Sequence, residues 1–193
     1  MSDIKVIAIN GSPRKNGNTS ILISKVFSTL NESGIKTEEI QLAGNAVRGC
    51  TACYICKKEK NGKCVIQNDI VNLCIEKMKE ADGIILASPT YFANVSAEMK
   101  AVIDRTGVVN RANDFMFRRK IGAAIVTARR AGQVTAFDAI NHYFLACQMS
   151  IAGASYWNMG IGKDIGDVES DSEGMENMKT LGENMAWLLK ATA

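Results

Sequence analysis

Long apolar stretches are missing from this 193-residue sequence. The longest runs, such as Gly83 to Ala87 and Gly122 to Val126, fall far short of the roughly 20 residues needed to cross a bilayer. A strong charge of one sign is missing too. Twenty-three basic residues face 20 acidic ones, and the resulting +3 is too weak and too scattered to argue for nucleic acid. The opening Met-Ser-Asp-Ile-Lys runs straight into a strand pattern, without the charged-then-apolar layout of a signal peptide. A soluble, cytoplasmic protein with no membrane partner is the expectation. Internal repeats and low-complexity tracts are absent. Histidine occurs once, as His142 on a helix pattern, where it reads as structural rather than catalytic.

What is present suits one globular domain. With 47% hydrophobic and 22% charged residues the chain is not intrinsically disordered. At this length it can bury about 70% of its extended-chain surface without a covalent staple. A single domain over 1–193 is expected, with a cysteine-rich loop at 48–66 inserted after the second strand.

Strand and helix patterns alternate along the chain. Lys5 to Asn10, Lys36 to Leu42, Gly83 to Ser88 and Ile121 to Thr127 read as strands, and Ser155 to Met159 as a weaker fifth. Between them lie helical stripes: Ile23, Val26, Phe27 and Leu30; Val71, Cys74, Ile75 and Met78; Val95, Met99, Val102 and Ile103. A long fourth helix is read from Ile140, Tyr143, Phe144, Cys147 and Ile151, and a last one from Met178, Leu181, Met185, Leu188 and Leu189. Gly160 to Gly174 is acidic and polar and is expected to be a mobile loop. Continuous apolar strands joined by helices imply an α/β fold whose parallel sheet is covered on both faces. Right-handed crossovers favour the doubly wound order 2-1-3-4-5, with the ligand outside the carboxyl ends of the strands.

The loop after the first strand, Gly11-Ser12-Pro13-Arg14-Lys15-Asn16-Gly17-Asn18-Thr19-Ser20, suits a phosphate. Its small residues let backbone N–H groups approach an anion, its hydroxyls add donors, and Arg14 supplies a planar fork beside a helix N-terminus. Capping by Asn18 or Thr19 would explain the helix start alone, but not Ser12, Arg14 and two glycines together. A Walker loop would need four residues between its glycines and a Lys where Asn18 stands; the G-x-G-x-x-G fingerprint and a phosphatase cysteine are absent as well. A phosphate anchor with neither metal nor nucleophile fits flavin mononucleotide better than a phosphoryl donor. After the third strand, Tyr91 and Phe92 could pack along a flat ring at the same sheet edge, or merely fill a hydrophobic turn before a Ser96 cap. Arg129 and Arg130 follow the fourth strand, either as solvated surface or as a receiver for a second nucleotide's phosphate.

GSPRKNGNTS, SPTYFANVSAEMKAVIDR and VTARRAGQ together resemble the NADPH-dependent FMN reductases of the flavodoxin-like fold. The resemblance implies FMN with Ser12, Arg14, Asn18, Thr19 and Ser20 at its phosphate. It places Pro89, Thr90, Tyr91, Phe92 and Asn94 around the isoalloxazine, with Thr127 and Ala128 nearby. No side chain is expected to act as acid or base, because the cofactor carries the chemistry. The slight positive charge and the absence of a T-x-T-G-N-T loop separate the chain from plain flavodoxins.

Six cysteines are the unusual count, and Cys50, Cys53, Cys56 and Cys64 crowd into fifteen residues. C-x2-C-x2-C lets three thiolates converge on one small cubane, with a fourth returning from a short loop. Zinc more often uses two separated C-x2-C knuckles, and unmetallated thiols are a further possibility. Cys74 and Cys147 lie on apolar stripes and read as core. The compact motif is similar to that of the iron–sulfur flavoproteins within the same family. That similarity implies one 4Fe–4S cluster beside FMN, ferredoxin or NAD(P)H as electron donor, and a homodimer or homotetramer. The competing functions are a cluster-free NAD(P)H-dependent flavin, quinone or nitroaromatic reductase, and an electron-carrier module without turnover of its own.

Overall fold

The computed structural model describes residues 4–193. Its sheet runs β2-β1-β3-β4-β5, from β1 (Lys5–Asn10), β2 (Lys36–Gln41), β3 (Gly83–Pro89), β4 (Ile121–Ala128) and β5 (Ser150–Ile151), all parallel. The expected doubly wound, flavodoxin-like order is the one observed. β1, β3 and β4 are buried along nearly their whole length, as strands covered on both faces must be. β2, at the edge, alternates instead.

Successive strand side chains feed opposite cores. Val6, Ala8, Ile85, Ala87, Ala123 and Ile125 meet helices α1 (Asn18–Glu32) and α6 (Ser172–Thr192). Ile7, Ile9, Ile84, Leu86, Ala124 and Val126 meet α3 (Val71–Glu80), α4 (Ala97–Ala112) and α5 (Gln133–Ala146). A short helix, α2 (Ile55–Glu59), lies within the cysteine segment and was not foreseen. Close packing is set at Gly122, where an added Cβ would come within 2.8 Å of the Phe144 ring. Among the described residues, no helix is long and apolar enough to cross a membrane.

Three expectations need correction. The fourth helix ends at Ala146 and does not reach Ile151, because Gln148 turns left-handed (φ 60) and the Met149 N–H folds back to the Phe144 carbonyl at 3.1 Å. The fifth strand is not one run at Ser155 to Met159. β5 pairs with the start of β4, while β6 (Met159–Ile161) pairs with its end at Val126 to Ala128. Between them buried Asn158 stands in for a strand: its Nδ2 donates to the Ala124 carbonyl at 3.0 Å, and its own carbonyl accepts from the Val126 N–H at 3.0 Å. Gly160 to Gly174, finally, is the tail of β6, a 3-10 turn at Asp167–Ser170 and the first turn of α6. Two of its acidic residues, Asp167 and Asp171, cap turns rather than face solvent alone. Asp167 Oδ2 accepts from the Lys163 and Asp164 N–H groups, and Asp171 from Gly174 and Ile161.

Candidate functional site: a cleft at the carboxyl edge of the sheet and a ring of cysteines

β1, β3 and β4 end side by side, and their loops enclose a cleft of about 310 Å³. Ser12, Arg14, Asn18, Thr19, Pro89, Thr90, Tyr91, Thr127 and Ala128 line it, joined by Arg129, Gly162 and Lys163. The loop after β1 is held by its own polar atoms. The Ser12 N–H donates to Asn10 Oδ1 at 2.9 Å, and the Arg14 N–H to Ser12 Oγ at 3.2 Å. α1 starts at Gly17 without any side-chain cap, which leaves its first N–H groups for a ligand. Thr19 and Thr127 join hydroxyls at 3.0 Å across the floor, tying α1 to β4.

The segment after β6 closes one wall, and sequence reading missed it. Arg14 donates to the Lys163 carbonyl at 2.9 Å, while Asn18 bonds both the Asp164 carbonyl and the Gly166 N–H at 2.9 Å. Gly162 is required there, since a Cβ would lie 2.6 Å from Asn18 Nδ2. Thr90 Oγ1 is buried beside the cleft with no hydrogen-bond partner among the described residues, a polar group that a ligand could satisfy. Phe92 and Ala93 form the tip of a tight turn, with Tyr91 and Asn94 exchanging backbone bonds at 2.8 and 3.0 Å. Both tip residues have positive φ (48 and 57), which is costly for side-chain-bearing residues. Phe92 is wholly exposed, and neither it nor Asn94 lines the cleft.

Ser20 turns its side chain away from the other residues of the loop. Its hydroxyl donates to Glu39 of β2 at 3.0 Å and does not face the cleft. Consecutive helical residues point about 100° apart, so the Thr19 and Ser20 hydroxyls take different partners, while the Ser20 N–H stays among those at the open start of α1. Arg129 lines the cleft, whereas Arg130 is exposed beyond it.

The second site lies in the segment after β2. Cys50, Cys53, Cys56 and Cys64 all line one small cavity of about 80 Å³, with Val65, Ile66, Val108 and Val109 as apolar wall. Among the described residues no three His, Cys, Asp or Glu side chains already stand in a metal-ligating arrangement, so the sulfurs ring the cavity without yet converging. The loop carries left-handed residues at Ala52 (φ 51) and Tyr54 (φ 55), a backbone form that gathers N–H groups around an anion. The Ile55 N–H and the Thr51 hydroxyl hold the Cys53 thiol below its ordinary value. Burial, with Cys64, Cys53 and Cys50 nearby, pushes the Cys56 thiol up. Lys57, Lys58, Lys60 and Lys63 are exposed. Cys74 and Cys147 are core, and burial raises their thiols to about 12 and about 11.

Arg105 of α4 and Asp69 close the back of this ring. Arg105 is 1% exposed, and its NH1 pairs with Asp69 Oδ2. It also donates to the carbonyls of Arg48 (3.1 Å) and Ile66 (3.0 Å) and, through Nε, to Cys64 Sγ at 3.3 Å. Sequence reading gave neither residue a role. The available signal was an arginine beside the buried stripe of Met99, Val102, Thr106 and Val109.

The profile of the NADPH-dependent FMN reductases matches residues 4–164. The chain belongs to that family. Within it, the chain falls in the iron–sulfur flavoprotein branch and is a flavin-dependent, FMN-using oxidoreductase. It is similar to an iron–sulfur flavoprotein of Methanocaldococcus jannaschii, 40% identical over 97% of this chain and 98% of the other. It is also similar to one of Methanosarcina thermophila, 31% identical over 97% and 96%. An archaeal flavodoxin of known structure shares the fold with a TM-score of 0.63, 17% identity, and coverage of 97% of this chain and 99% of that one.

Proposed function

We propose that this FMN reductase family member moves electrons between FMN in the carboxyl-edge cleft and a 4Fe–4S cluster held by Cys50, Cys53, Cys56 and Cys64. The observation that carries the reading is that all four cysteines, remote from the cleft in sequence, line one cavity with apolar walls. Four thiolates are the ligand set of an iron–sulfur cluster, and hydrogen bonds such as that from Arg105 to Cys64 tune one. FMN supplies exchange between two-electron and one-electron transfer, and the cluster one-electron transfer.

The chain's own residues bind and orient. Ser12, Asn18, Thr19 and the uncapped start of α1 would receive the phosphate, and Arg14 would add charge-assisted donors. Pro89, Thr90 and Tyr91 would flank the ring, with the orphan Thr90 hydroxyl as donor or acceptor and Ala128 permitting close approach. Phe92 and Asn94, at the exposed turn, are placed to meet whatever covers the ring from outside. Cys53, held below its usual value, would be the readiest thiolate for metal. The donor in this reading is ferredoxin or NAD(P)H. Arg129 at the cleft margin favours the alternative of a cluster-free NAD(P)H-dependent reductase, since it could receive a nucleotide phosphate.

Anaerobic purification followed by a visible spectrum and iron and sulfide assays tests the reading. Equal iron and sulfide beside FMN is the expected result; FMN with neither returns the protein to the cluster-free alternative.

Assembly belongs to the same proposal. α4 follows the loop that carries Pro89, Thr90 and Tyr91 of the cleft, and it lines the cysteine cavity with Arg105, Val108 and Val109. At about 1.5 Å per residue, that cavity lies roughly 12–18 Å down the helix. The oligomer is therefore proposed as the working unit, a homodimer or homotetramer in which one subunit's cysteine ring faces its neighbour's flavin. Sedimentation at micromolar concentration should give an even-order species, and a monomer that retains FMN would refute it.

A further inference from the structure

We propose that Arg105 is a positioning residue that sets the reduction potential of whatever metal group Cys64 ligates, with Asp69 as the counter-charge that moderates it. The inference rests on the cysteine ring holding an iron–sulfur cluster. It begins from burial. Arg105 and Asp69 both have side chains fully shielded from solvent, and a buried ion pair is costly unless every donor is satisfied. Arg105 meets that demand with the Asp69 carboxylate, two backbone carbonyls and the Cys64 sulfur. The pair also joins the two ends of the cysteine segment, because the Arg48 N–H donates to Asp69 Oδ2 at 3.3 Å while the Arg48 carbonyl accepts from Arg105.

The fourth partner is the sulfur of a would-be metal ligand, which gives the buried cation a route to act on metal chemistry. The Nε–H at 3.3 Å from Cys64 Sγ puts a fixed cation against one would-be ligand, on the side away from solvent. Asn72 of α3 holds that residue's backbone in place, with Nδ2 on the Cys64 carbonyl at 2.9 Å and Oδ1 accepting the Cys64 N–H at 2.8 Å. The lysines around the ring are exposed and screened by water, so Arg105 is the charge that acts at low dielectric. Hydrogen bonds and positive charge at a cluster's sulfurs favour its more negative, reduced form and raise its potential. Removing Arg105 should lower the potential. Neutralising Asp69 leaves the cation less compensated and should raise it.

The test is an anaerobic potentiometric titration, with dithionite supplying one electron per cluster, on wild type, Arg105→Met, Arg105→Lys and Asp69→Asn. Retained FMN certifies each fold, since none of these residues lines the cleft. Arg105→Met is expected to reduce the equilibrium constant for one-electron reduction tenfold or more, about 59 mV downward. Asp69→Asn should shift it upward, and Arg105→Lys should recover part of the loss. Should Arg105→Met fail to load iron, the Lys and Asn variants decide, since they must move in opposite directions. Shifts of one sign, or potentials within twofold in equilibrium constant of wild type on fully loaded protein, overturn the role of Arg105 alone. Wild type without iron and sulfide overturns the cluster reading itself, and this role with it.

Discussion

Replacing Cys56 by alanine is expected to empty the cysteine ring of iron while the flavin stays bound. Cys56 is the buried member of the four, 8% exposed, and sits on α2 at the floor of the cavity. Three thiolates leave one iron open, so the assembled group becomes labile and is lost. The substitution removes a single buried sulfur and should cost the fold about 1 kcal/mol, too little to unfold a chain of this size. Cys56 lines the other cavity and not the cleft, so FMN content should match wild type. Ferredoxin-linked one-electron transfer should then collapse although dithionite still bleaches the flavin. Full ferredoxin-linked activity in Cys56→Ala would show that the cysteines are not a redox centre.

The architecture was legible because β1, β3 and β4 advertise themselves. Each is a short, nearly continuous apolar run bounded by turn residues, the pattern of a strand covered on both faces. The carboxyl-edge cleft followed from that order, and most residues assigned to the loops after β1, β3 and β4 do meet there. Two of the failures share one physical cause, a side chain doing what backbone or solvent was expected to do. Asn158 replaces strand pairing along the middle of β4, so no β pattern marks it. Asp167 and Asp171 cap local turns, so an acidic stretch that looked solvated is folded structure. Ser20 lies one residue from Thr19, yet the helix turns it toward Glu39. Arg105 and Asp69 are 36 positions apart, and only folding shows that they close the cysteine ring together.

Arg14→Ala should weaken FMN binding by about 1.5–3 kcal/mol, or roughly 10- to 150-fold, the loss of hydrogen bonds from a guanidinium to a charged group. Arg14 is exposed and already anchored, since its NH1 donates to the Lys163 carbonyl at 2.9 Å. That bond orients the fork along the cleft wall, so little rotamer freedom remains to be lost when a phosphate arrives. Truncation therefore removes the fork and loosens the wall formed by Gly162 and Lys163. Two comparisons isolate the charge. Ser20→Ala should leave the affinity unchanged, because that hydroxyl is spent on Glu39. Riboflavin, which lacks the phosphate, should bind wild type far more weakly than FMN and should lose little further on Arg14→Ala. Calorimetry or flavin fluorescence quenching on apoprotein reads all of these. Equal affinity of wild type for riboflavin and FMN would remove the phosphate from the loop after β1 and leave Arg14 as a fastening for the segment after β6.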